Sequence, residues 1–431
     1  VKEIAAITVG NVFDEDGNYT FSPQYNSENP VALSKSKNSN STLFVLGSFF
    51  SELELMKDLK FKTSVSVNYN AGHQYSFYPK FTFTGGWRRT GGDGDGYAQD
   101  SRSEISSTLF QNELTYTKNI DDKHHLTGLA VVSFEKQKSD FTKAFGTGFS
   151  NDVLSNVSSA TVSTGGSSYS TNYGLESYIG RFDYDFASKY YVTLTGRLDG
   201  SSKFAVDNRY AFFPSAALAW RLSKESFLEN ADFIDELKLR TSIGKTGQQD
   251  FGPYAWRTLF DTSFYGGESA IILSQLGNDK LKWETSNQFD LGLDFSLFKG
   301  KLTGEMGYYT KKTIDALFTT YSPGSSGESR TIANIGDTRN SGLELKLNGV
   351  IVENDNFSWD MGLIVSSNKN KLVRIVDDFK NEDGFLTGFP GGGILKEGSA
   401  IGLIYGYRAE GIFQNQEDID ALNTASSTGI Y

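Results

Sequence analysis

The chain has 431 residues, no cysteine and 45 glycines, and 14% of its residues are aromatic. Disulfides therefore play no part, and so much glycine and aromatic content suits strands and turns better than a helical bundle. A net charge of -11 argues against nucleic acid as a partner, because neutralising phosphates needs a basic face. No apolar run reaches about 18 residues, which excludes a transmembrane helix. A membrane β-barrel escapes that test: its strands need about 9 to 11 residues, of which only every second one meets lipid. The mean hydropathy of -0.38 thus decides nothing. The first ten residues carry no Met, basic leader or long apolar stretch, and read as the interior of a longer protein rather than a signal peptide.

In chain order, segment after segment separates into two unlike faces with a period of two, the pattern of a strand. Leu59 to Tyr69 is one such segment. Tyr75 to Trp87 alternates too and reads as its outward continuation into a loop, with Gly72 and Pro79 as bends or edge positions. Gly91 to Asp100 (GGDGDGYAQD) reads as an acidic loop. There Asp93, Asp95 and Asp100 offer hard oxygen donors, a weak Ca²⁺ candidate because the full EF-hand spacing is missing. A turn at Lys118 to His124 leads into a strand at His125 to Glu135. Lys138 to Thr171 follows as a long polar link.

The strand at Ser177 to Phe186 places Tyr178, Gly180, Phe182, Tyr184 and Phe186 on one face and Arg181, Asp183 and Asp185 on the other. After the short turn at Ala187 to Lys189, Tyr190 to Leu198 repeats the pattern: Arg197 lies with Thr193 and Thr195, against Val192, Leu194 and Leu198. Further strands are predicted at Ala211 to Leu222, Glu236 to Lys245, Asn287 to Leu297, Ser341 to Ile351 and Phe357 to Ser367. In the third of these Asp290 and Asp294 share the polar face. Short turns at Phe298 to Lys301 and Val352 to Asn356 alternate with long links at Gly247 to Thr285, Thr313 to Asn340 and Asn368 to Ser399. Segments of about 9 to 12 residues exceed the soluble norm, and the short-long rhythm of connections suits a membrane barrel with short periplasmic turns and long outer loops. Tyr190, Tyr191, Phe212, Phe213, Trp220, Tyr308, Tyr309 and Trp359 are placed as girdle or lipid contacts.

Several motifs carry a more specific signal: R-x-D-G-S-S-x-F at Arg197 to Phe204, FFPS and AWR between Phe212 and Arg221, LKLRTSIGKTGQQ at Leu237 to Gln249, LKWETSNQFDLGLD at Leu281 to Asp294, IGDTRNSGLELKL at Ile335 to Leu347 and IYGYRAEGIFQNQEDIDA at Ile404 to Ala421. With a weaker NPVAL near Asn29, they make nearly the whole chain resemble the barrel of the SusC/RagA family of TonB-dependent outer-membrane transporters of Bacteroidota. The resemblance implies an all-β fold, an antiparallel transmembrane β-barrel of 22 strands. It also implies an N-terminal plug, energy from TonB, a SusD-like surface lipoprotein as lid, and import of oligosaccharide or peptide cargo across the outer-membrane lipid. Neither a TonB box nor the plug is found, and only about 13 to 15 spanning strands are counted by alternation. An open sheet edge cannot face lipid. Residues 1–431 are accordingly expected to be part of one barrel domain, without the plug and the last C-terminal strands.

Residue roles follow. Arg197, Asp199, Gly200, Ser201, Ser202 and Phe204 are read as a structural motif pinning a strand to its loop, with Asp199-Gly200 as turn chemistry. Arg181, Asp183, Asp185, Asp290 and Asp294 are read as charges facing the lumen, as are Glu52 and Glu54. Carboxylates at i and i+2 could suggest acid-base catalysis, but a charged inner wall accounts for them. Tyr97, Tyr254, Trp256 and Tyr265, with Tyr173, Phe264, Tyr321 and Phe389, are aromatic candidates for contact with cargo or lid. His73, His124 and His125 have no metal-ligand spacing, and no hydrolase, Walker or dinucleotide motif occurs. No catalytic residue and no cofactor is expected. Energised import is the main reading; a docking component of a larger outer-membrane or secretion assembly is the alternative, and a soluble adhesin is disfavoured by the apolar outward faces.

Overall fold

The computed structural model of the chain describes residues 11–20, 29–87, 95–321, 330–386, 393–404, 406, 409 and 411–425. Long strands dominate them: β1 (Lys37–Met56), β2 (Leu59–Tyr78), β3 (Tyr97–Asn119), β4 (His124–Thr147), β5 (Ser163–Phe186), β6 (Tyr190–Ser201), β7 (Tyr210–Arg221) and β8 (Ile234–Gln248). A small hairpin, β9 (Leu259–Tyr265) and β10 (Glu268–Gln275), precedes β11 (Glu284–Leu297), β12 (Leu302–Tyr321), β13 (Arg330–Asn354) and β14 (Phe357–Ile375). Among the described residues, β1 to β8 and β11 to β14 form one 12-stranded antiparallel meander, fewer strands than alternation suggested, and β9 and β10 pair apart from it. Among the described residues no helix is long and apolar enough to cross a membrane.

Turn chemistry sets the short connections. Ala187 and Ser188 both take positive φ (55° and 54°), the geometry a two-residue hairpin needs to match strand twist. Asp121 accepts the amides of Lys123 and His124 at 2.7 and 2.9 Å, closing the next turn along. At the opposite end the links are shorter than the sequence suggested, because β4 and β5 run to 24 residues each and β13 to 25. At roughly 3.4 Å per residue a 24-residue strand spans about 80 Å, far more than a bilayer requires. Much of the predicted links at 138–171 and 313–340 is thus paired ribbon. Gly72 lies within unbroken β2, opposite Leu-free positions Thr42 and Ser103, while Pro79 follows the strand end, where its missing N–H is harmless.

Directly opposed residues in an antiparallel pair share a face. One face can therefore be followed from Thr127 through Asp183, Thr193, Ala217, Ser242, Asp290, Tyr309 and Gly342 to Asn368. The reverse face, at nearly the same level, reads Leu126, Tyr184, Val192, Leu218, Thr241, Leu291, Tyr308 and Leu343. Leu218, Leu291 and Leu343 are 53, 43 and 62% exposed, so the described residues leave this apolar face uncovered. Along its lower rim the rings of His124, Phe186, Tyr190 and Trp220 meet in sequence at centroid distances of 4.8, 6.2 and 6.2 Å. Glu225 ties the row down, accepting from the Tyr190 hydroxyl at 2.6 Å and the Trp220 indole at 2.9 Å. This is the interfacial girdle of a membrane sheet, amphipathic rings with their polar ends fixed toward water.

The same register corrects three aromatic assignments. Tyr191, Phe213 and Tyr309 oppose Asp185, Arg197 and Asp290, so they face inward and not toward lipid. Adjacent residues on a strand point oppositely, and only Tyr190, Phe212 and Tyr308 of those pairs lie outward.

Candidate functional site

The inner wall carries its charges in self-satisfied groups. Arg181 grips Asp183 two residues on, with bonds of 2.8 and 2.9 Å, and the Thr193 hydroxyl adds a third at 2.6 Å. Asp290 accepts from the Ser242 hydroxyl at 3.2 Å and the Gln288 amide at 2.9 Å. Arg240 donates to Asp294 at 2.9 Å, its guanidinium lying flat over Gly292, where an added Cβ would stand 2.6 Å from Cζ. Ala217 and Ala219 leave a recess of about 280 Å³ beside Lys238, Arg240 and Asp290. Asp185 shares the face, yet its carboxylate accepts the Ser188 amide at 2.8 Å and serves the turn. Glu52 pairs with Lys60 at 3.0 Å. These carboxylates are hydrogen-bonded to neighbouring cations, hydroxyls and amides in a polar wall.

Above this wall the loops pack into a lid-like cluster built around the Arg197 to Phe204 motif. Arg197 donates to both oxygens of Asp199 at 2.8 and 2.7 Å and to Ser177 of β5 at 3.1 Å. Ser202 exchanges two bonds with Gly174, amide to carbonyl at 3.0 Å and amide to hydroxyl at 2.9 Å, and Ser201 donates to Gln249 at the end of β8. Phe204 is fully buried among Phe213, Phe251, Ala255, Leu281 and Trp283. It stacks on Trp283 at 4.8 Å and meets Phe251 edge-on at 5.1 Å. The motif thus joins β5, β6 and the segment after β8 at one point.

Lys203 completes the junction. Its ammonium donates to the Phe251 and Gln249 carbonyls at 2.7 and 3.3 Å and lies 4.9 Å above the Tyr173 ring. Burial lowers its pKa against the smaller opposing pull of Asp250. Neither Lys203 nor Trp283 received a role from the sequence, although both stand inside quoted motifs; the spacing of Lys203 between Ser202 and Phe204 was the available signal.

The aromatic candidates scatter. Tyr97 is almost wholly buried, its hydroxyl donating to Gln99 at 3.0 Å, which leaves little ring surface for a ligand. The Tyr254 hydroxyl accepts the Asn172 amide at 3.1 Å, and the Trp256 indole donates to the Ser202 carbonyl at 3.3 Å. Phe264 and Tyr265 stand at the tip of the β9–β10 hairpin, 82 and 85% exposed. Phe389, the side chain of Tyr321 and Asp93 lie outside the described residues. Of the Ca²⁺ candidates, Asp100 instead holds His73 at 3.0 Å, and the described residues contain no group of three or more metal-ligating side chains.

A second network ties the outer ends of β12, β13 and β14. Asp337 accepts two bonds from Arg374, both 3.2 Å, and the Asp315 amide at 3.2 Å; Asp315 itself takes φ 57° at a bulge and pairs with Lys282 at 2.9 Å. Burial alone raises the Asp337 pKa, but the Arg374 bonds, the Asp315 amide and the charges of Arg374 and Lys312 together outweigh it and hold the group below the ordinary aspartate value. A carboxyl depressed in the fold stabilises above its unfolded pKa, and that contribution is lost as pH falls through the folded value. Acidification below about pH 4 is therefore expected to speed hydrogen exchange at the Asp315 amide. Asp337→Asn should abolish that pH dependence beyond the intrinsic exchange rate; an unchanged profile would refute the role given to this carboxylate.

An antiparallel sheet with a lipid-ready outer face, a charged inner face and ribbons rising beyond one rim is the wall of an outer-membrane β-barrel. The chain belongs to the TonB dependent receptor-like, beta-barrel family, whose model matches residues 6–392. A TonB-dependent receptor of Formosa agariphila is 36% identical over 417 residues, covering 94% of this chain and 41% of its own length. The TonB-dependent receptor SusC of Bacteroides thetaiotaomicron is 28% identical over 374 residues, covering 84% and 36%. Among solved structures, the RagAB peptide transporter superposes with a TM-score of 0.77 at 23% identity, over 90% of this chain and 43% of the other. The chain thus spans less than half the length of the relatives it matches. The family is one of membrane transporters, not enzymes.

Proposed function

We propose that this chain forms part of the wall of a TonB-dependent importer of the SusC type, which passes oligosaccharides or peptides through the outer membrane in company with a SusD-like surface lipoprotein. The observation that carries the reading is the two-faced sheet itself. Its outward side suits hydrocarbon, and its inward side offers fixed, internally paired charges such as Arg181–Asp183 and Arg240–Asp294 along a path that a polar solute can follow. The pairing matters: a wall whose charges are already satisfied presents polarity without trapping cargo in a deep ionic well. The exposed rings of Phe264 and Tyr265 are the surface we assign to cargo or lid contact, since stacking on sugar or peptide needs free ring faces. Cargo between the two classes is weighted toward peptide by the solved RagAB peptide transporter.

The test is uptake of labelled oligopeptides and oligosaccharides by cells carrying the whole protein, with TonB intact or deleted. Uptake of one class that falls at least about tenfold without TonB is expected, tenfold corresponding to roughly 1.4 kcal/mol in any driving equilibrium. Equal uptake with and without TonB for every solute tried would reject energised import.

A further inference from the structure

Above the apolar rows of the outward face, the strands of one half of the sheet meet cations. Lys245 follows Ile243 on β8, and in register with it stand Asn287 of β11, Lys312 of β12, Arg339 of β13 and Lys371 of β14. On β14 the apolar positions end at Val365, lower in register than Ile243, as strand tilt requires, and Lys369 opposite Ser341 keeps the level there. Among the described residues Lys245, Arg339, Lys369 and Lys371 have no carboxylate partner, and Lys312 comes only within 3.9 Å of Asp337. Asp337 and Asp315, just above the row, are held by Arg374 at 3.2 Å and Lys282 at 2.9 Å. Lys312, Arg339 and Lys371 thus lie directly opposite one another on three adjacent strands, a like-charge arrangement that costs stability unless an anion sits among them. The rim of β3 to β5 instead mixes signs on the outward face, with Glu104, Lys136, Lys138, Asp140 and Glu176, and Lys138 is paired with Asp140 at 2.8 Å. The basic row is a patch on one half of the wall.

Its height says what it faces. On β11 the apolar rows lie between Leu297, beside the short turn, and Asn287 in the row. At about 3.4 Å per residue and a tilt of about 40°, that stretch rises roughly 26 Å, the height of a barrel's apolar band. The row therefore stands at the level of the outer headgroups. Immediately beneath it Ile243, Phe289, Tyr308 and Leu343 present exposed apolar surface. Cations set directly above a hydrocarbon-facing surface match a ligand with both parts, phosphate above and acyl chains below. A free anion would gain nothing from the apolar rows.

We propose that Lys245, Lys312, Arg339, Lys369 and Lys371 bind the phosphate of an anionic lipid in the outer leaflet, its acyl chains lying along Ile243, Phe289, Tyr308 and Leu343. Arg339 supplies a planar fork that holds phosphate through two bonds, and the lysines act as point charges around it. The site requires that this face meet lipid and does not depend on what the wall transports.

The experiment titrates the whole protein, purified in mild detergent, with phosphatidic acid or with phosphatidylcholine of the same acyl chains, and reads bound lipid by native mass spectrometry. Phosphatidic acid is expected to be retained in preference. Arg339→Gln with Lys369→Gln should weaken its retention by about tenfold or more, since each cation near an anionic lipid surface contributes about fivefold. Arg339→Lys with Lys369→Arg keeps both charges and should restore most of the binding. Lys136→Gln with Lys138→Gln removes the same charge from the other half of the rim and should change little. Resistance to detergent at room temperature verifies that each barrel is folded. Four outcomes overturn the proposal: equal retention of the two lipids, equal loss from both charge-removing pairs, displacement of phosphatidic acid by equimolar inorganic phosphate, or a separate protein held by the native row and lost with Arg339→Gln and Lys369→Gln.

Discussion

Phe204→Ala is expected to destabilise the packed outer cluster by about 3–5 kcal/mol, the range for emptying a fully buried phenylalanine site. Phe204 has no exposed surface and is enclosed by two other phenylalanines and Trp283, so no neighbour can fill the gap without leaving its own contacts. The strand ladders on either side do not depend on this ring. The loss should therefore be local: faster protease cleavage and hydrogen exchange at 202–209 and 249–256, with the strands of the sheet still protected. Phe212→Ala offers the contrast, since Phe212 is adjacent to the buried Phe213 in sequence but 56% exposed on the outward face. If Phe204→Ala leaves exchange in both segments unchanged, the cluster does not hold the outer loops.

Leu291→Arg should cost about 2–4 kcal/mol, the penalty for a cation near the bilayer midplane on a lipid-facing barrel position. Leu291 lies near the middle of β11, 43% exposed on the apolar face. Ser242→Arg introduces the same charge at nearly the same level on the opposite face, directly across from Asp290, where water and a carboxylate receive it. Urea titration of the whole protein refolded into lipid vesicles compares the two. Equal destabilisation would mean that the faces have been assigned wrongly, and with them the entire inner wall.

Much of the fold could be read from the chain because a membrane wall imposes a period of two along strands longer than a soluble domain usually carries. The split of Ser177 to Phe186, or of Asn287 to Leu297, needed only alternate residues to be compared, and the register carries the same polar and apolar rows onto the neighbouring strands. Where that period fails, so did the reading. Of β1 only Glu52 and Glu54 were given a face, because Leu43 to Leu46 and Phe49-Phe50 are consecutive apolar residues, and a strand that is apolar on both sides has no alternation to detect. Tyr191, Phe213 and Tyr309 were sent to the lipid side because an aromatic dipeptide offers one ring to each face and composition cannot say which is which.

What the sequence by itself determined is the kind of protein: an all-β membrane wall, its short turns, its polar and apolar faces and its family motifs are all local, set by neighbours one to four positions apart. Only the tertiary structure decided where those motifs meet. Ser201 reaches Gln249, Lys203 reaches the Phe251 carbonyl and Trp283 reaches Phe204 across separations of tens of residues. The lengths of the outer ribbons were likewise invisible, because above the membrane a paired strand no longer needs one apolar face and its sequence resembles a loop. Hydrogen bonding to a neighbouring strand, not burial, keeps those residues in the sheet, and that bond belongs to the pair rather than to either segment.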